Sequence, residues 1–149
     1  MTTTRNRVMV MHGANLDMLS KRNPEHYGGF SLSELEGKVN GWAREAGLNA
    51  RFFQTNHEGE LIEELHRVPE TADAVILNAG PWTHYSWALR DALELAAVPS
   101  VEVHISDVMA REKWRHVSVF DGLVLGAISG KGQDGYREAL AMIATELGA

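Results

Sequence analysis

The chain has 149 residues, with 14 Lys and Arg against 20 Asp and Glu, seven His and no Cys, for a net charge of −6. A single domain of that length buries roughly 68–70% of its unfolded surface without a disulfide or metal staple, and zero cysteine excludes thiol nucleophiles, Cys-ligated zinc and iron–sulfur sites. Apolar content of 44% and charged content of 23% exclude wholesale disorder, and an acidic balance with four lysines argues against nucleic acid or an anionic membrane as the main partner.

The polar opening Met1–Arg7 runs straight into Val8–Met11, with no room for a signal-peptide core of about 7–15 apolar residues. No apolar run approaches the ~20 residues that cross a bilayer. The expected setting is the cytoplasm.

Val8–Met11 reads as the first strand. Residues 13–31 are too long and too rich in Asn, Gly and Pro for an ordinary turn, and read as a lid. Ser31-Leu-Ser-Glu34 is a capping box ahead of a helix with the apolar stripe Leu32, Leu35, Val39, Trp42, Ala43 and Ala46, closed by Gly47. A strand over Ala50–Gln54 precedes a second stripe, Leu61, Ile62, Leu65 and Val68. After the strand Ala74–Asn78, Thr83 is the expected cap of a helix carrying Leu89, Ala92, Leu93 and Ala96, with Pro99 just beyond it. Ser100–His104 and Leu123–Ile128 are the last strands; Tyr136, Leu140, Ile143 and Leu147 line the last helix, which Gly148 ends.

Short strands rich in Val, Ile, Leu and Phe are expected to be covered on both faces. Helices between them impose right-handed crossovers and a parallel sheet. The expectation is a single catalytic domain over residues 1–149: an α/β, flavodoxin-like three-layer sandwich with a five-stranded parallel sheet in the order 2-1-3-4-5.

In such a sheet, ligands bind beyond the carboxyl ends of the strands, near the switch between strands 1 and 3. Polar residues gather there. His12, Asn15, Arg22 and Tyr27 follow strand 1, Asn56 and His57 strand 2, and Asn78 and His84 strand 3. Glu102 and His104 close strand 4, ahead of Ser106, Arg111 and Arg115. Each has a duller reading. Arg22 and Tyr27 fit a surface pair, Asn78 and Ser106 fit caps, and Arg111 and Arg115, four apart, fit a solvated helix face. Glu102 and His104 share one strand face and fit a mutually satisfied buried pair. Their coincidence on one edge favours function.

Several motifs fail. Gly126–Gly132 departs from the Walker A order, the first strand lacks G-x-G-x-x-G, no G-x-S-x-G is present, and His57-Glu58 lacks the second His of a zincin helix. A zinc site from His84, Glu102 and His104 needs neutral, convergent imidazoles.

The segment His12-Gly-Ala-Asn-Leu-Asp-Met-Leu through Arg22-Asn-Pro-Glu-His-Tyr27-Gly28 resembles the opening signature of type II 3-dehydroquinate dehydratases. Phe53-Gln-Thr-Asn-His-Glu-Gly-Glu60, Asn78-Ala-Gly-Pro-Trp-Thr-His84, Ala88-Leu-Arg-Asp91, Val101-Glu-Val-His-Ile-Ser106 and Ala110-Arg-Glu-Lys-Trp-Arg115 resemble that family's later blocks, in order. The resemblance implies a flavodoxin-like fold and a dodecamer of trimers. It also implies dehydration of 3-dehydroquinate to 3-dehydroshikimate in the shikimate pathway, without metal, nucleotide or other cofactor. Carried over residue by residue, it implies Tyr27 as base with Arg22 as its electrostatic partner, and Asn15 holding a water at the developing enolate. His104 becomes the general acid, oriented by Glu102. Asn78, Ile105 and Ser106 bind the substrate carboxylate, His84 and Arg115 bind ring hydroxyls, and Asp91 reaches in from a neighbouring subunit.

Physical chemistry fits those roles. A free tyrosine, with a pKa of about 10, is a poor base at neutral pH, and lowering that by about 3 needs about 4 kcal/mol. One cation about 4 Å away supplies roughly that at an effective dielectric near 20. Departures from the usual family pattern fall at His12, Ala14, Ser20, Asn23, Asp107 and Met109, and are expected to crowd the surroundings of the site while sparing the residues just named. Two other readings share the scaffold: elimination from a related hydroxylated cyclic acid, or a non-catalytic module that binds a small carboxylate. The module has no use for a Tyr–Arg pair on a lid.

Overall fold

Alternation of short β-branched runs with longer amphipathic segments yields five parallel strands. They are β1 (Arg7–His12), β2 (Asn49–Gln54), β3 (Ala74–Asn78), β4 (Ser100–Val103) and β5 (Gly126–Ile128). Their order is β2-β1-β3-β4-β5, as expected. Residues 4–148 are described by the computed structural model of the chain. No helix among them is long and apolar enough to cross a membrane.

Side chains alternate between two cores. Val8, Val10, Ala74, Ile76, Val101 and Val103 face one way, against α2 (Leu32–Glu45) and α5 (Asp134–Leu147). Met9, Met11, Val75 and Leu77 face the other, against α3 (Glu58–Thr71) and α4 (Trp87–Ala96). Helices thus cover both faces of the sheet, and a crevice opens at the carboxyl ends of β1 and β3.

Local differences from expectation have physical causes. The β2 strand is an edge strand and only partly covered: Arg51 is exposed and Phe52 and Phe53 are half-buried. The last strand begins at Gly126, because the chain from Phe120 to Val124 turns on itself through Leu123 N–H donating to the Phe120 carbonyl. Thr83 caps nothing. Residues Gly80–His84 wind as a 3-10 turn started by Pro81, and α4 is capped three residues later by Ser86, whose Oγ accepts the Leu89 N–H at 3.1 Å. The capping box at Ser31 forms, with Ser31 Oγ accepting the Glu34 N–H at 3.1 Å.

The lid segment is more ordered than an irregular loop. It holds a 3-10 turn, Leu16–Lys21, and the short helix α1 (Pro24–Tyr27), capped by Asn23 and ended by Gly28 at φ +78°. Leu16, Leu19 and Tyr27 are buried in the core shared with α2 and α5. Its first residue has no room for a side chain: a Cβ on Gly13 would sit 2.6 Å from the Ala79 carbonyl carbon, with the carbonyl oxygen closer still.

Candidate active site

The floor of the crevice is a neutral, buried network. His12 and Asn78 are register partners at the ends of β1 and β3. The Asn78 amide donates to Tyr136 Oη at 3.3 Å, and its Oδ1 accepts the Gly80 N–H at 3.2 Å. Because Tyr136 Oη accepts that bond, its one proton is free for His12 Nε2, 2.8 Å away. His12 is therefore the Nδ1–H tautomer, and Nδ1 has no partner among the described residues. Burial pushes the His12 pKa down to about 4 and raises that of Tyr136.

Above this floor lies a small, partly open cavity. The lid contributes Leu16, Arg22 and Tyr27; the exit of β3 contributes Asn78, Pro81 and His84. His104, Ile105, Ser106, Val108, Arg111 and Arg115 complete it from the exit of β4. Three arginines and two histidines line it and no carboxylate does, in a chain of net charge −6. Such a lining favours an anion, with Glu112 just outside it paired to Arg115 at 2.7 Å.

Tyr27 is buried beneath two guanidinium groups. Arg22, the expected electrostatic partner of Tyr27, lies over the ring face, 4.1 Å from its centroid. Arg111 reaches the oxygen: its Nη1 donates to Tyr27 Oη at 2.6 Å and to Ser106 Oγ at 3.2 Å. Arg111 and Arg115 are thus no solvated helix face. Arg111 lies in the break between the 3-10 turns Val108–Ala110 and Lys113–His116 and Arg115 within the second turn, with side chains 9% and 15% exposed. Arg111 is a cavity side chain to which the sequence assigns no role. Its signal was its place in the Ala110–Arg115 block, beside Arg115.

Glu102 stands behind the cavity, 3% exposed, with Oε2 2.5 Å from His104 Nε2. Its other oxygen accepts the Ser118 hydroxyl at 2.6 Å. An ionised carboxylate only accepts, so His104 carries hydrogen on Nε2 and leaves Nδ1 as its other functional atom. His84 stacks on His104, with centroids 6.1 Å apart, and its Nδ1 lies 2.7 Å from the Val117 carbonyl oxygen. A carbonyl also only accepts, so Nδ1 carries the hydrogen and Nε2 is an open acceptor. Burial pushes the His84 pKa down, opposed by that hydrogen bond and aided by the charge of His104 and Arg115. For the zinc reading, both Glu102 oxygens are already taken by His104 and Ser118, and no group of three His, Cys, Asp or Glu among the described residues is placed to hold a metal.

Comparison with known proteins decides the kinship. A family model described as dehydroquinase class II matches residues 6–144. The chain belongs to the class II dehydroquinase family. It is 48% identical to the 3-dehydroquinate dehydratase of Syntrophotalea carbinolica over 135 residues, 90% of this chain and 91% of that one. It is 47% identical to that of Pelobacter propionicus, covering 95% of each. In three dimensions it is similar to the type II dehydroquinase of Propionibacterium acnes, with TM-score 0.89 and 36% identity over 97% of this chain and 99% of the other. A second type II dehydroquinase, from Butyrivibrio crossotus, gives TM-score 0.90 at 34% identity, covering 95% and 99%.

Besides Glu102 behind the cavity, two residues expected to serve a class II dehydroquinase, Asn15 and Asp91, stand outside it in this chain. Asn15 is exposed, in a left-handed conformation at φ +71°, and its N–H donates to Asn56 Oδ1 at 2.8 Å. Asp91 is exposed on α4. The departures from the usual dehydroquinase pattern crowd the site less than expected. Ser20, Asn23, Asp107 and Met109 are exposed, and Asn23 and Asp107 cap short helical turns. His12 alone is fully buried, in the floor network.

Proposed function

We propose that this chain is a 3-dehydroquinate dehydratase, a hydro-lyase of the shikimate pathway that converts 3-dehydroquinate to 3-dehydroshikimate. One observation carries the reading: an arginine-bound phenol and a carboxylate-held imidazole line a single cationic cavity. The substrate is an anionic ring bearing a ketone, and the reaction removes a proton from the carbon beside that ketone.

Tyr27 takes the proton. A cation in contact with a phenol favours its charged form, and Arg111 and Arg22 supply two. The resulting enolate is met by a water held by Asn15, which the lid brings to the substrate on closing. Loss of the hydroxyl requires an acid: Glu102 holds Nε2–H of the His104 imidazolium, and its Nδ1–H passes to the hydroxyl, which departs as water. Asn78, Ile105 and Ser106 hold the carboxylate. His84 Nε2 accepts from a ring hydroxyl, and Arg115 binds another.

The working unit is a dodecamer of trimers in the cytoplasm, where the pathway's free polar metabolites are handled. Trp87, Asp91 and Leu95 follow one another at four-residue spacing on α4, and the two apolar members are 62% and 68% exposed. An exposed apolar stripe of this kind is what a subunit interface covers. Asp91, set within it, enters the neighbouring subunit's site. The test is the rise in ultraviolet absorbance of the conjugated enone when the protein meets 3-dehydroquinate. No signal at high protein concentration overturns the proposal.

A further inference from the structure

Both imidazoles of the cavity are fastened by one short strap, residues 117–119, which lies outside every block that first marked the site. The Val117 carbonyl takes His84 Nδ1 at 2.7 Å, and the next residue, Ser118, holds Glu102 at 2.6 Å. The strap is itself anchored from β3's exit and from α4. Val119 N–H donates to the Thr83 carbonyl at 2.8 Å, and Arg90 Nη1 donates to the Val119 and Asp121 carbonyls at 2.6 and 2.8 Å.

The direction of the Ser118 hydroxyl follows from counting protons. Its oxygen accepts the Phe120 N–H at 3.1 Å, and its single hydrogen is left for Glu102 Oε1. Glu102 then has each oxygen committed, one to Ser118 and one to His104, and cannot rotate without breaking a charge-assisted bond in a buried place. We propose that Ser118 is a positioning residue for the dehydration, holding Glu102 in the rotamer that fixes hydrogen on His104 Nε2 and presents Nδ1 to the substrate. Ser118 lines the adjoining pocket with Glu102 and His104 but not the cavity that holds Tyr27, and its hydroxyl reaches His104 through Glu102. The inference rests on His104 being the acid.

The experiment compares wild type with Ser118→Ala and Ser118→Thr. A hydrogen bond to a charged group is worth enough that Ser118→Ala should lower kcat about ten-fold, with KM within about two-fold, because no group touching substrate is removed. Ser118→Thr, which restores the hydroxyl, should recover kcat to within about three-fold of wild type by the same reasoning. In parallel, the ¹⁵N shifts of the His104 ring should report hydrogen fixed on Nε2 in wild type and in Ser118→Thr, and hydrogen exchanging between the two ring nitrogens in Ser118→Ala. An unchanged kcat in Ser118→Ala, a parallel rise in KM, or a Thr variant no better than Ala overturns the proposal. The ring shifts need no turnover. If wild type produces no enone, the functional reading falls, while the shifts still decide whether Ser118 sets the His104 ring.

Discussion

Nη1 of Arg111 lies 2.6 Å from the hydroxyl oxygen of Tyr27, while the Arg22 guanidinium covers the same ring 4.1 Å from its centroid. One phenol thus has a cation at its oxygen and another at its face. Removing the Arg111 contact by Arg111→Ala should lower kcat by about 10- to 100-fold, the range of a hydrogen bond to a charged group. Since both cations act on one ring, the Arg22→Ala/Arg111→Ala double variant should lose less than the sum of the single losses in a double-mutant cycle. Strict additivity would separate the two arginines into independent roles.

Tyr27→Phe removes the oxygen and keeps the ring that Arg22 covers and the core encloses. Turnover should vanish, while calorimetric binding of a non-reacting carboxylate analogue stays within a few-fold of wild type. An equal loss of binding would make Tyr27 a structural part of the lid.

His104→Ala should depress kcat far more than it raises KM, the signature of a group needed in the transition state. Steady-state kinetics over a range of substrate concentrations read this directly. A change confined to KM would reassign His104 to ground-state binding.

His12 should make the protein sensitive to acid. Its folded pKa of about 4 lies below the ordinary value of 6.5, so the unfolded chain binds the proton first. The stability held above pH 6.5 is lost as pH falls from there toward 4, by up to about 3 kcal/mol. Melting curves of wild type and His12→Asn between neutrality and mild acid should diverge, with Tm of wild type falling more steeply. Parallel curves would show that His12 takes its proton without cost.

Gly13→Ala should destabilise the fold by about 3 kcal/mol, the upper end of overpacking costs, because the added Cβ meets backbone at Ala79 that has no soft way to yield. Urea unfolding measures it, and a midpoint equal to wild type would mean that the β1 and β3 exits can part.

The sheet order could be read from the chain because burial pattern and crossover geometry are local, and each stripe named its own helix. The extent of β2's cover could not, since Phe52 and Phe53 announce burial that only a neighbouring strand could complete. The cap of α4 was misplaced because Pro81 diverts Gly80–His84 into a tight turn that no helical period foretells. In the site, residues next to strand ends were legible from topology, whereas Arg111, Ser118 and Tyr136 act across 84, 16 and 58 positions of sequence. Only folding brings such pairs together.

Tyr136 rides on α5, the final element, yet its hydroxyl links the tips of the first and third strands. Until α5 docks, the Asn78 amide therefore lacks the Tyr136 hydroxyl that braces it. Refolding followed by two signals should show a lag, with backbone order arriving ahead of ligand capture by the docking time of one helix.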